Sequence, residues 1–146
     1  MTSMLQMKQQ LSREKCWKYW MTPGNSLKNV CDLLEADGLL NQKTGRKFTS
    51  AAVERAAYQW VLDINNRDSA RKEFEYRMQS MGRIVSEEDW KIFLLEACSL
   101  VYHNRPKHIK QFIAQNGLQS YVTRCFSDNL EKQRRFIERN GLQSYT

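Results

Sequence analysis

A chain of 146 residues, 41% hydrophobic and 27% charged, has the balance of a soluble globular protein and the length for one domain, or for a small domain with a helical extension. Only 6 Gly and 2 Pro argue against low complexity and against a turn-rich all-β fold, and no apolar run approaches the ~18 residues of a membrane helix. The net charge of +7 is concentrated at the two ends: residues 1–48 carry 8 Lys/Arg against 4 Asp/Glu, residues 49–100 carry 7 against 9, and residues 101–146 carry 8 against 3.

Basic ends around a slightly acidic middle point to a polyanion as partner. The opening stretch MTSMLQMKQQLSREK lacks an apolar signal core, so a cytoplasmic protein without membrane contact is expected. Cys16, Cys31, Cys98 and Cys125 form no CxxC pair, and His103 and His108 lie far from most of them. Reduced core cysteines are expected rather than a metal site.

Residues 4–21 read as a helix. Met4, Leu5, Leu11, Trp17, Trp20 and Met21 supply its apolar positions, with Lys15 and Lys18 on the wet side. Large aromatics at i, i+3 are core anchors first and base-stacking groups second. Thr22-Pro23-Gly24-Asn25 is a turn, after which Asn25 or Ser26 caps a helix whose stripe is Leu27, Val30, Cys31 and Leu34. Asp37-Gly38 ends it, and Leu39 and Leu40 are expected to fold back on the stripe. A polar loop, NQKTGRKF over 41–48, follows. Thr49 or Ser50 then caps a helix carrying Val53, Ala56, Ala57, Trp60, Val61 and Ile64 at helical spacing.

The pattern from Ser26 and Leu27 through Leu34 and Gly38 to Gly45-Arg46-Lys47-Phe48-Thr49 and Val53 resembles the DNA-binding helix-turn-helix that follows the catalytic domain of large serine recombinases, found also in related mobile-element proteins. The resemblance spans residues 22–64 and includes no recombinase catalytic domain, so it implies double-stranded DNA binding and not strand exchange. It suggests a small DNA-binding protein of a phage or plasmid, acting as a regulator or an accessory factor.

The residues of the same stretch also supply candidate contacts on physical grounds. Lys43, Arg46 and Lys47 would clamp phosphates at the entrance of the second helix. Its exposed first turns carry Ser50, Ala51, Glu54 and Arg55, then Tyr58 and Gln59. Ser50 and Ala51 permit close approach, Arg55 suits a guanine and Gln59 an adenine. A solvated helical hairpin is the alternative for the same residues.

Residues 65–81 are highly charged. Asn65-Asn66 would break the long helix, and Phe74, Met78 and Met81 make a thin stripe on a connecting or partner-facing helix that stops at Gly82. Ser86-Glu87-Glu88-Asp89 has the form of a capping box, opening a helix over 87–103 with apolar residues around most of its circumference, suited to a core or a homodimer interface. Pro106 restarts the chain. An internal repeat of period 24 then appears, Phe112 to Tyr121 and Phe136 to Tyr145, each copy closing a helix at Asn-Gly-Leu. Lys107, Lys110, Arg124, Lys132, Arg134, Arg135 and Arg139 make this end a second candidate surface for phosphate or for an acidic partner.

No GxxxxGK[ST], GxGxxG, HExxH or GxSxG motif occurs, and the carboxylates at 87–89 are explained by capping. The expectation is therefore an all-α protein that is not an enzyme and uses no cofactor. It divides into a helix-turn-helix region over 1–66 and, over 67–146, a helical region for packing, oligomerisation or partner binding. Two rivals stand beside DNA reading: a protein-binding inhibitor or nucleoprotein subunit acting through helix 87–103 or the repeat, and an RNA binder acting through the basic tail.

Overall fold

The computed structural model describes residues 3–146 and is all-helical: seven α-helices and three short 3-10 turns, with no strand among the described residues. The helices are α1 (Met4–Met21), α2 (Leu27–Ala36), α3 (Ser50–Leu62), α4 (Arg67–Ser80), α5 (Glu87–Val101), α6 (Pro106–Asn116) and α7 (Leu130–Asn140). They fall into two compact units, residues 1–84 and 85–146. None is long and apolar enough to cross a membrane.

In the first unit α1 lies against α3, and also packs on α2 and α4. Cys16 and Trp17 are fully buried, with Met21 beside them. Burial on α1 begins only at Ser12. Met4, Leu5 and Leu11, expected on the apolar side, are 76%, 57% and 43% exposed. The helix outruns the elements that could cover it. Trp20 is half-buried, set edge-on to Trp17 and tilted against Tyr58 at 5.6 Å.

Side-chain caps account for most helix starts. Ser26 accepts from Asn29 N, Thr49 from Ala52 N, and Ser86 forms the expected capping box with Asp89. Asn25 turns back instead and donates to Tyr19 O. Gly38 (φ +76°) closes α2, and Leu39 N returns to Leu34 O; Leu39 is half-buried, but Leu40 stays 44% exposed. The third helix stops one residue short of Asp63, earlier than Asn65-Asn66. Asp63 is extended and its carboxylate accepts from Asn65 N, opening a 3-10 turn. Ile64 is therefore 73% exposed and Leu62 takes its place in the core.

The fourth helix belongs with the first three, so this compact unit runs past residue 66 to residue 84. Ala70 and Phe74 are buried while Met81 is 52% exposed. Arg77 makes the tie: its guanidinium donates to Trp20 O, to Asn25 O at 3.1 Å and to Thr22 O at 3.5 Å, gathering the end of α1 and the turn after it. Replacing it by Ala removes all three of these bonds at once. Arg77→Ala is expected to lower the first unit's stability by about 2 kcal/mol in a urea melt, and Arg77→Lys to recover only part of the loss.

The second unit buries Trp90, Leu94, Leu95, Ala97, Cys98 and Val101 of α5, which ends at Val101 rather than at residue 103. That face is core of this unit, so the helix is not left over as a free dimer surface; Leu100, at 37%, is its most exposed large apolar group. The two repeat copies adopt the same geometry. Gly117 and Gly141 share φ +63° and ψ +43°, and Leu118 N and Leu142 N return to Ile113 O and Ile137 O. Asn116 and Asn140 each donate to the carbonyl four residues back. The copies pack on each other, α6 with α7 and turn with turn.

At Gly117 an added Cβ meets open space, so its left-handed backbone alone resists substitution. Gly117→Ala is expected to cost about 1 kcal/mol, with Asn less harmful, read by chemical denaturation. All four cysteines are buried and unpaired, and burial pushes the Cys16 and Cys98 thiols up to about 12 and Cys125 higher still. Alkylation by iodoacetamide at neutral pH is expected to be slow in the native protein and to become fast only with unfolding.

Candidate nucleic-acid interface

Loop 37–49 is built as a tight turn and not as a loose arch. Asn41 N donates to Arg46 O at 2.8 Å, and Gly45 N, at φ +69°, donates to Asn41 O at 2.7 Å. The Asn41 side chain accepts from Lys43 N and the Thr44 hydroxyl from Arg46 N, so the Asn-x-x-Thr-Gly sequence satisfies its own backbone. Phe48, 8% exposed, anchors the far end in the core.

Two ion-pair systems fix α2 on either side. Lys47 reaches back to Asp32, and lies 3.8 Å from Glu35. Hydrogen bonding to Lys47 holds the Asp32 carboxyl below its ordinary value, and Lys47 is raised in turn. At the helix end Tyr19 donates to Asp37 at 2.5 Å and Lys15 at 3.0 Å. The Tyr19 bond, then the Lys15 bond, holds the Asp37 carboxyl below 3.8.

Folding lowers that pKa, so the carboxylate's stabilisation is complete above the unfolded value of 3.8 and is lost as pH falls through the lower folded value. The wild-type thermal midpoint is expected to drop more steeply than that of Asp37→Asn between roughly pH 5 and pH 2, measured by circular dichroism.

Beside the turn lies a concavity of about 190 Å³. Helix α1 brings Gln9, Ser12 and Arg13 to it, the turn brings Asn41, Gln42 and Lys43, and α3 brings Arg55 and Gln59. Phe48, Ala52 and Ala56 form the apolar part of the wall. Three cations and four side-chain amides thus face one space, and no carboxylate lines it among the described residues. Arg13 Nε donates to Gln59 Oε1 at 3.1 Å, which orients both side chains. Ser12 is 5% exposed and its hydroxyl has no hydrogen-bond partner.

The residues read from the sequence therefore separate. Lys43, Arg55 and Gln59 come together around the concavity. Arg46, Ser50 and Ala51 are exposed, on the turn and on the first turn of α3, where no acid sits. Lys47 pairs with Asp32 of α2, and Gln59 accepts from Arg13 through its side-chain oxygen. Tyr58 leans on Trp20 and Glu54 is half-buried. Arg13, Ser12 and Gln9 enter from α1, and none of the three stands out in the sequence. Their i, i+3, i+4 spacing is the one available signal, and it is indistinguishable from an ordinary wet helix face.

In the second basic surface three of the seven cations pair with carboxylates of the same unit. Arg134 pairs with Glu131 at 2.6 Å and Glu138 at 2.9 Å, Arg135 with Glu131 at 3.1 Å, and Arg124 with Glu88. Lys132 sits over the Phe126 ring at 4.6 Å, and Arg139 lies 3.1 Å from a ring nitrogen of His103. Lys107 and Lys110 remain exposed on α6. No grouping of three or more His, Cys, Asp or Glu able to hold a metal ion occurs among the described residues.

Comparison of the chain with protein-family models, with curated proteins and with solved structures found no match in any of the three.

Proposed function

We propose that the first unit is a duplex DNA-binding domain that sets the first turns of α3 in the major groove and the Asn41–Arg46 turn against the adjoining backbone. The observation that carries this reading is the acid-free cluster in which Arg55 of α3 and Lys43 of the turn face one side together with Arg13. Support also comes from the start of α3. Small, exposed Ser50 and Ala51 allow close approach, and the helix N-terminus favours a phosphate. Arg55 is the base-reading candidate, while Lys43 and Arg46 are phosphate contacts. Lys47 acts through the loop it pins. The resemblance to the recombinase-associated helix-turn-helix points the same way and would place the protein in a mobile element as regulator or accessory factor.

Anisotropy with a selected duplex and with random duplexes tests this. Arg55→Ala is expected to lose about 1–3 kcal/mol on the selected site and little on random sequence. Lys43→Ala or Arg46→Ala is expected to weaken all sequences and to reduce the salt slope by about one. Absence of duplex binding at low salt would end the reading.

One observation favours a protein partner as a second function. Met4, Met7 and Leu11 are exposed at i, i+3, i+7 along the start of α1, an apolar row that the first unit leaves uncovered. Self-association lost in a Met7→Lys, Leu11→Lys double variant, by sedimentation, is the expected result under that reading.

A further inference from the structure

We infer that the concavity between α1, the Asn41–Arg46 turn and α3 is a binding site for a small phosphomonoester carrying a flat organic group, of the nucleoside monophosphate class. Three features set it apart from a phosphate-contacting surface. It is a concavity of about 190 Å³ and not a flat surface. It is lined by Ser12, a residue 5% exposed whose hydroxyl has no hydrogen-bond partner among the described residues. Its cations are arranged and not merely present. Arg13 is held through Nε by Gln59, which leaves both terminal nitrogens of the guanidinium to donate, and Lys43 and Arg55 face the same space without a carboxylate.

The donor set selects the chemistry. Three cations match the three terminal oxygens of a phosphomonoester better than the two of a carboxylate. Phe48, Ala52 and Ala56 supply apolar lining, which a bare phosphate cannot use and a base can. The amide of Gln42 and the free amide nitrogen of Asn41 in the lining are suited to the polar edge of such a ring.

Arg55 and Lys43 are also the groups assigned to DNA, so ligand and duplex exclude each other. This competition rests on the DNA reading; the site itself does not.

The test is titration of the full chain with adenosine monophosphate and, separately, with inorganic phosphate, followed by amide chemical shifts. Saturable shifts confined to residues around 9–13, 41–43 and 52–59 are expected, with the nucleotide the tighter of the two. Arg13→Gln is expected to weaken nucleotide binding about tenfold. Ala56→Leu, which fills the wall without changing charge, is expected to abolish it. Should Ala56→Leu fail to fold, Arg13→Gln and Ser12→Ala decide. No saturable shift, or shifts unchanged by both Arg13→Gln and Ala56→Leu, overturns the site. Displacement of a bound duplex by the nucleotide supports shared residues, and simultaneous binding overturns them. If no duplex binds at all, the DNA reading fails while the nucleotide titration still decides the site.

Discussion

The packing of α1 on α3, with Trp17 fully buried, is the constraint on which the first unit depends. A helix whose first two turns are polar or exposed is held by its second half, where Cys16 and Trp17 are fully buried and Met21 nearly so. Helix α3 admits it because Val53, Ala57 and Val61, all fully buried, present small or β-branched side chains on that face. Once α1 is seated, its earlier turns are carried past the flank of α3. Arg13 then stands beside Gln59, and the alanines at 52 and 56 leave room where larger side chains would fill the gap. The concavity is thus a by-product of helix packing that polar side chains have furnished.

Around that contact, charge is divided between structure and surface. Lys15, Tyr19 and Asp37 join α1 to the end of α2, and Lys47 joins the far end of the loop to α2 again. Between these two anchors the Asn41–Arg46 turn closes on its own backbone, leaving Lys43 and Arg46 as the cations free to meet an outside anion. The same division holds in the second unit, where Arg134 and Arg135 answer glutamates one helical turn away.

The fold was largely legible from local signals. Capping serines, left-handed glycines and apolar spacing are one-dimensional features, and α2, the start of α3, the capping box before α5 and the duplicated Asn-Gly-Leu stops all follow from them. Failures occurred where burial depends on what lies opposite. Met4 and Leu5 have apolar side chains but no covering element, and Asp63 ends a periodic run by bonding its own following turn. The candidate site was half legible. Lys43 and Arg55 are close enough in sequence to be read as one motif, whereas Arg13 joins them only through tertiary packing. The pairing of Lys47 with Asp32 and Glu35 is likewise invisible in a count of charges.

Lys47 also changes what ionic strength would do to this molecule. Its contact with Asp32 lies on an exposed surface, with side chains 41% and 60% accessible, so dissolved ions weaken it over a screening distance of about 10 Å at 0.1 M salt. Added salt therefore loosens the anchor of the turn at the same time as it competes for Lys43 and Arg46. Two processes of different origin, one within the chain and one at its surface, would fall on the same axis. A steep ionic-strength dependence in any anion binding by this unit would then exceed the number of cations in contact, the excess measuring how far the turn must be held in place before it can bind.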